Sequence, residues 1–227
     1  MMKGREPQMN RLLVEIEKFK KWSELTFPCR IAGDIGGEWE TGYNGWDAVY
    51  AAFEEALNRQ RPEDFTADEL APLLYIIARD NECEILAQTL SEHDVWFVKV
   101  CHLALQSSDP EARWQLASRL HGMKDHDQAR RFLEAFVRDE DEYVSRRALL
   151  EMPALQPDRV EDYAAWFWDR DCHAEMQEYQ RMAALTVLED VHSPLLEEYL
   201  ERARSDGRPY LLSCADRILS RRKRPGA

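Results

Sequence analysis

Apolar residues recur along most of the chain at steps of three and four, the spacing of one face of an α-helix. Between Pro7 and Leu25 the stripe runs through Leu12, Ile16 and Phe19. The same spacing predicts further helices at Gly45–Arg59, Ala67–Arg79, Glu82–Ser91, Val95–Gln106, Pro110–His121, Gln128–Asp139, Glu142–Met152, Asp158–Asp169, Ala174–Asp190, Pro194–Ser205 and Pro209–Arg222. We therefore expect an all-α protein.

Residues that begin and end helices support these ranges. Thr66 and Glu69 have capping-box spacing, and Asp109 followed by Pro110 is a favourable helix start. Asn44 is the expected N-cap of the helix that begins at Gly45. Four prolines fall at predicted boundaries, where they interrupt no helix: Pro153, Pro157, Pro194 and Pro209.

One irregular stretch, Thr26–Gly45, separates the first two helices and holds five of the nine glycines. We predict a long ordered loop with a short hairpin through Trp39–Tyr43. The stretch has three acidic residues and neither glycine-rich phosphate-binding motif, which argues against a phosphate cradle. Two interpretations remain: a plain connection, or a binding loop that presents Trp39 and Tyr43 to a partner.

The segment Asp141–Met152 recurs along the chain. Equivalent positions are 32, 36 and 31 residues apart, a period typical of helical solenoids. The aromatic, small and apolar positions are Tyr143, Ala148 and Met152, then Tyr179, Ala184 and Leu188, then Tyr210, Ala215 and Leu219, with Glu111, Leu116 and Leu120 upstream. We predict that all three positions face neighbouring helices.

The pattern Asp109-Pro110-x-x-Arg113-x-x-Leu116 resembles the first helix of a HEAT repeat, and the resemblance covers about residues 63–227. It implies a right-handed α-solenoid of helix pairs whose second helices line a concave binding surface. Residues 1–62 would then form an N-terminal helical segment and Gly/Trp-rich loop packed on the solenoid. The position of Arg113 becomes Ser145 and Gln180 in later copies, so the Asp/Arg ladder of the family is expected to be incomplete.

Charge narrows the choice of partner. The chain carries 43 acidic and 30 basic residues, a net charge of −13. Without the basic tail Arg221–Arg224 the balance is −17. Such a body repels nucleic-acid phosphates and attracts basic proteins at long range. We predict a basic protein partner and no nucleic acid.

Cysteine usage and hydropathy indicate a cytoplasmic protein that does not enter membranes. The five cysteines include no CxxC pair, which is typical of reduced thiols in a cytosol. The N-terminal residues lack the apolar region of a signal peptide, and no run of 18 apolar residues occurs.

The predicted helix Asp158–Asp169 is the strongest candidate for a binding surface. Its apolar face runs through Val160, Ala164 and Phe167. The opposite side carries four acids, and two tryptophans flank the apolar stripe. These candidate residues are Asp158, Glu161, Asp162 and Asp169, with Trp166 and Trp168. The hypothesis is an acidic groove with aromatic anchors for an Arg/Lys-rich protein; the alternative is that the tryptophans pack between repeats.

Catalytic patterns are absent from the sequence, so no catalytic residue, metal ligand or cofactor is predicted. The chain has no HxxxH or CxxC metal pair. It also lacks the His-Glu dipeptide of the di-iron deoxyhypusine hydroxylases, whose fold it resembles. The HEAT-like alkylpurine DNA glycosylases are also similar, with Trp166, Trp168 and Asp169 as the residues that would act on a base. The acidic second helices, however, disfavour duplex DNA.

These observations lead to one main functional prediction. We expect a non-enzymatic protein-binding module, most specifically a bacterial immunity or antitoxin protein that neutralises a basic toxin domain by occluding it. The alternatives are an alkylpurine DNA glycosylase and a generic scaffold or assembly factor.

Overall fold

The computed structural model describes residues 9–28 and 39–222, and in these residues the chain is all-α, as predicted, with no β-strand. The twelve α-helices of this part are α1 (Met9–Thr26), α2 (Trp46–Arg59), α3 (Ala67–Arg79), α4 (Ile85–Ser91), α5 (Asp94–Ala104), α6 (Pro110–Ala117), α7 (His126–Phe136), α8 (Glu142–Leu155), α9 (Val160–Asp169), α10 (Gln177–Asp190), α11 (Leu196–Asp206) and α12 (Pro209–Arg222). None of them combines the length and the apolar character that crossing a bilayer requires.

The helices form two compact units, α1–α6 up to Lys124 and α7–α12 from Asp125. In the first unit α1 packs on α2 and α3, α2 on α4, and α3 on α6. Helices on either side of residue 62 therefore share one packed unit. In the second unit α10 is central and contacts α8, α9, α11 and α12.

Local capping signals predicted several helix starts correctly. Thr66 and Glu69 form a complete capping box at α3. The Asp109 side chain accepts from the Glu111 N–H at 3.0 Å, and Asp141 accepts from the Val144 N–H at 3.0 Å. Each carboxylate or hydroxyl satisfies a donor that the first helical turn leaves without a partner.

Two predictions near the glycine-rich stretch are wrong. Residues Trp39–Gly42 form a 3-10 helix rather than one side of a hairpin. The N-cap of α2 is Gly45, which makes no side-chain cap bond, and not Asn44. A Cβ at Gly45 would lie 2.4 Å from Cζ of Tyr43, so the close approach of the Tyr43 ring requires glycine there. Most of the predicted loop, residues 29–38, lies outside the described residues.

Pro153 lies inside α8 and not at its boundary, because α8 continues past Met152 to Leu155. A proline lacks one donor and disturbs only the turn before it. The final turn persists because Leu155 is buried and the Gln156 N–H donates to the Met152 carbonyl at 2.8 Å.

The repeated positions of α8, α10 and α12 separate into buried and exposed ones. The small residues Ala148, Ala184 and Ala215 are all buried, which lets adjacent helices approach closely. Met152 and Leu188 are also buried. The aromatic position is different, because Tyr143, Tyr179 and Tyr210 are exposed. The prediction that this position packs against neighbouring helices holds only in part: Tyr179 and Tyr210 stack on each other across α10 and α12, but each side chain stays partly exposed.

Arg170 is buried and lies outside the repeated segment. It binds Ser145 and Gln180, the two residues that replace the arginine of the family's Asp/Arg ladder in the later copies. Arg170, just after α9, donates from Nη2 to Ser145 Oγ at 3.1 Å and from Nε to Gln180 Oε1 at 2.6 Å. Its guanidinium lies 3.7 Å from the centroid of the Phe167 ring. In the first unit Arg79 pairs with Asp109 at 2.7 Å. Arg170 thus connects α8 and α10 through neutral polar groups.

Candidate binding cleft at helix α9

Helix α9 follows a 3-10 turn at Pro157–Arg159 and buries one apolar face in the second unit. Val160, Ala164 and Phe167 on this face are fully buried, as their spacing predicts. The face packs against α10 and α8. This packing sets the orientation of α9 and therefore the directions in which its other faces point.

Tyr163 connects α9 to α7 through a carboxylate. Its hydroxyl donates to Glu134 Oε2 at 2.6 Å. Glu134 also accepts an ion pair from Arg138, and Arg159 Nη1 lies 3.8 Å from its other oxygen. Burial, together with the hydrogen bond to Glu134, raises the pKa of Tyr163 to about 12. The phenol therefore stays protonated and keeps this contact in place.

Glu134 is an anion that its surroundings hold ionised. Burial alone would raise its pKa, but the hydrogen bonds from Tyr163 and Arg138 outweigh burial and lower that pKa below the ordinary value. The Arg138 and Arg159 guanidinium groups lie 5.4 and 5.5 Å from the Tyr163 ring centroid. The ring is thus flanked by two cations.

An open cleft of about 400 Å³ lies beside this arrangement, lined by Arg138, Arg159, Asp162, Tyr163 and Trp166. Trp166 is 41% exposed. Its ring meets Phe167 edge-on, with centroids 5.0 Å apart, and the buried Arg170 guanidinium lies 5.0 Å from its centroid. Trp166 therefore packs on the buried Phe167 and Arg170 and is still accessible from solvent. The cleft can accept a side chain of a partner between an indole and two guanidinium groups.

Several of the acids predicted to line the outer side of α9 have polar partners. Asp162 is exposed and lies 3.7 Å from Arg159, and Asp158 is exposed on the preceding turn. Glu161 Oε1 instead accepts from Ser193 Oγ at 2.6 Å. Arg159 lies in the turn before α9 and Ser193 in the turn between α10 and α11, so the count of acids overstates the free negative charge that this helix presents.

Trp168 is internal, which corrects its prediction as an edge anchor. It is only 2% exposed and meets Tyr199 of α11 edge-on, with centroids 5.0 Å apart. Arg181 and Arg202 lie over its ring at 5.3 and 5.1 Å. Asp169 pairs with Arg202 at 2.5 Å. Helix α11 thus covers one edge of the apolar stripe, while the Trp166 edge stays open.

Trp39 and Tyr43 lie in the first unit and pack on α1. Trp39 stacks on Trp22 with ring centroids 6.0 Å apart and planes 10° apart. Tyr43 meets Phe19 edge-on at 5.1 Å, and burial raises the pKa of its hydroxyl. Both rings are half-buried. Their contacts anchor the chain to α1 and bury part of each ring, which favours the plain connection over a binding loop that presents these rings.

Sequence reasoning missed three residues that line the cleft, Arg138, Arg159 and Tyr163, and Glu134, which binds Tyr163. Glu134 and Arg138 have the i, i+4 spacing of a helical ion pair, but so do many pairs in a chain this charged. The only further signal is that Tyr163 follows Glu134 by 29 residues, close to the repeat period. Nothing in the sequence alone singles out that interval.

Among the described residues no group of three or more His, Cys, Asp or Glu side chains could hold a metal ion. In comparisons with known proteins, no protein-family model, no curated protein and no solved structure matches the chain.

Proposed function

We propose that this chain is a non-enzymatic protein-binding module that docks a partner at the α9 cleft. The observation that supports it most is Trp166, a large indole 41% exposed at the rim of an open cleft with two arginines. Tryptophan, tyrosine and arginine are the side chains that contribute most to protein interfaces. All three meet in this cleft: Tyr163 and Trp166 come from α9, and Arg138 and Arg159 from the turns after α7 and before α9.

Charge supports a basic partner. The net charge of −13 attracts basic proteins at long range. Near the cleft the exposed carboxylates of Asp158 and Asp162 add attraction at short range. Arg138 and Arg159 would then orient an acidic or aromatic side chain at the centre of the contact. Long-range attraction would speed the encounter with the partner, and the cleft would fix the orientation in which the partner binds.

The most specific form of the proposal is a cytoplasmic bacterial immunity or antitoxin protein that occludes a basic toxin domain. Its frame would be the HEAT-like right-handed solenoid that the resemblance implies. Support comes from the helix pairs of the second unit and from buried alanines at equivalent positions of α8, α10 and α12. A generic scaffold or assembly factor would use the same surface.

The alkylpurine DNA glycosylase alternative gains no observation in its favour. Trp168 is buried and Asp169 is paired with Arg202. In this arrangement Trp168 cannot stack on an extruded base, and Arg202 already neutralises the carboxylate of Asp169. Of the two tryptophans, Trp166 is the accessible one, and one exposed indole fits a protein anchor equally well.

The test is capture of a partner by the immobilised full-length chain, with mass spectrometry to identify what is retained. We expect a basic protein that wild type retains and that the double variant Asp158→Lys/Asp162→Lys releases at low salt. Glu54→Lys/Glu198→Lys, which reverses two exposed acids on α2 and α11, changes the net charge by the same amount and should retain it. Retention of the partner by Asp158→Lys/Asp162→Lys as strong as by wild type would contradict the proposal. Tight retention of duplex DNA instead of protein would also contradict it. Protection of cells that express the captured protein would establish the immunity role.

A further inference from the structure

An open cavity of about 640 Å³ lies in the first unit, beside the start of α5. It is bordered by the end of α2, the 3-10 turn Pro62–Asp64 and the first turn of α5, with Lys124 on a further side. Its floor is apolar, because Leu57, Pro62 and Trp96 are all buried. A volume of this size lies in the range of small-molecule sites. The cavity shares no residue with the α9 cleft.

Contacts of Trp96 fix the borders of the cavity relative to one another. Its Nε1 donates to the Gln60 carbonyl at 3.3 Å, which ties the start of α5 to the end of α2. Its ring lies 5.9 Å from the ring of Phe65, centroid to centroid. Within the turn, the Asp64 N–H donates to the Arg61 carbonyl at 3.1 Å. The cavity is therefore formed before a ligand enters, which lowers the entropic cost of binding.

Charged side chains of both signs line the cavity together with a histidine: Arg61, Glu63, Asp64, His93, Asp94 and Lys124. Asp94 pairs with Lys124 at 2.8 Å, and Asp64 also interacts within the chain. Arg61 and Glu63 are exposed, and neither side chain has an ion pair or hydrogen bond with another residue in the part of the chain that the structure describes. Residues two apart in a helical turn do not face each other, so these opposite charges stay separate. One cation and one anion are therefore available to a ligand.

The lining restricts the kind of ligand that fits. Val95 is 60% exposed, so a ligand with an apolar part that covers it removes apolar surface from water, which favours binding. A phosphate ester fits poorly, because the carboxylates of Glu63, Asp64 and Asp94 all line the cavity and repel it. A wholly apolar molecule also fits poorly, because Arg61 and Glu63 would lose water without gaining a partner.

We infer that this cavity binds a small zwitterion with apolar side chains, of the class of free dipeptides. The carboxylate of the ligand pairs with Arg61, its ammonium group pairs with Glu63, and its side chains cover Val95 and the apolar floor. Both charges belong to one small molecule, because Arg61 and Glu63 flank a single proline. The inference stands independently of the function proposed for the α9 cleft.

The experiment titrates leucyl-leucine with the full chain and follows the NMR signals of the ligand. Two blocked forms of the same dipeptide are the comparison: N-acetyl-leucyl-leucine has no ammonium group, and leucyl-leucinamide has no carboxylate. We expect leucyl-leucine to bind most tightly. Each blocked form should bind roughly two- to five-fold more weakly, the range for one ion pair at an exposed site.

Two variants assign the charges. Arg61→Gln should weaken the binding of leucyl-leucine by the same factor and should not weaken that of leucyl-leucinamide, which has no carboxylate to lose. Glu63→Gln should weaken the binding of leucyl-leucine and should not weaken that of the acetylated form. Both side chains are exposed, so both variants should fold as wild type does, which circular dichroism checks.

Arg204→Gln and Glu198→Gln, which remove one exposed charge of each sign from α11, are the matched controls and should bind leucyl-leucine as wild type does. Four results would each overturn the inference. They are no saturable binding of leucyl-leucine, equal affinities for the three dipeptides, unchanged affinity for leucyl-leucine in Arg61→Gln and Glu63→Gln, and an equal loss of affinity in the matched controls.

Discussion

At the scale of single residues, Arg170 shows how a buried cation can be held without an ion pair. Burial lowers the pKa of its guanidinium to about 10, still far above neutrality. Its hydrogen-bond partners are the neutral groups Ser145 Oγ and Gln180 Oε1, and one ring face of Phe167 covers it. No pattern in the sequence indicates this contact, because the three polar residues lie on three different elements.

We predict that Arg170→Ala lowers the free energy of unfolding by about 2–4 kcal/mol. The change leaves two polar side chains buried without their partner and opens a gap beside Phe167. Urea denaturation followed by circular dichroism measures it. Arg204→Ala, which removes an exposed pair with Glu201, should cost at most about 1 kcal/mol. Equal losses of unfolding free energy for the two variants would mean that the buried contacts of Arg170 do not stabilise the fold.

A second residue-scale prediction concerns pH and Asp206. Hydrogen bonds from Arg208, with a further one from Arg181, lower the pKa of this carboxyl from 3.8 to about 2 against the opposing effect of burial. A carboxyl whose pKa is lower in the folded state adds stability above its unfolded pKa, and that stability is lost as pH falls through the folded value. The loss should therefore lie between about pH 4 and pH 2.

The measurement is the free energy of unfolding as a function of pH in wild type and in Asp206→Asn. Wild type should be the more stable protein at neutral pH, and the difference should shrink as pH falls through this window. Parallel profiles for the two proteins would show that Asp206 is not the titrating group.

At the scale of elements, the sequence predicts helix bounds best where local signals such as caps and prolines determine them. The bounds of α3 and α12 agree with those predicted, because a capping box begins one and Pro209 begins the other. Errors arise where tertiary contacts decide: a buried Leu155 extends α8 beyond Pro153, and aromatic packing on α1 replaces the expected hairpin. Helix α9 combines both cases. Its buried face follows from spacing, whereas two of its acids have partners from elsewhere in the chain, Asp169 on α11 and Glu161 in the turn at Ser193.

Thr66→Ala tests the local part of this account. Loss of the hydroxyl at the N-cap of α3 should lower the free energy of unfolding by about 1 kcal/mol. The N–H of Glu69, which now donates to Thr66 Oγ1 at 3.3 Å, would then depend on solvent. Ser213→Ala, at an exposed position within α12, should be neutral or slightly stabilising because alanine favours helix. A neutral Thr66→Ala would show that packing alone holds the start of α3.

At the scale of the whole molecule, composition and periodicity predicted the all-α class. The candidate site depends on tertiary contacts between separate elements, which the sequence does not reveal. The net charge indicates the sign of a partner's charge but not where it binds. The cleft exists because Arg138, in the turn after α7, and Trp166 of α9 lie at one opening, a proximity that the sequence does not reveal. Trp168, which looks equivalent in the sequence, is excluded by the packing of α11. Which of two neighbouring tryptophans is exposed depends on a helix nearly thirty residues further along the chain.

The most direct test of the protein-binding account is the dissociation constant of the captured partner for wild type and for Trp166→Ala, measured by calorimetry. An interface anchor of this kind contributes about 2 kcal/mol or more, so affinity should fall by roughly 30-fold. Leu25→Ala, which truncates an apolar side chain that is 84% exposed in the first unit, is the matched control and should bind as wild type does. A dissociation constant for Trp166→Ala equal to that of wild type would contradict the assignment of the α9 cleft as the binding surface.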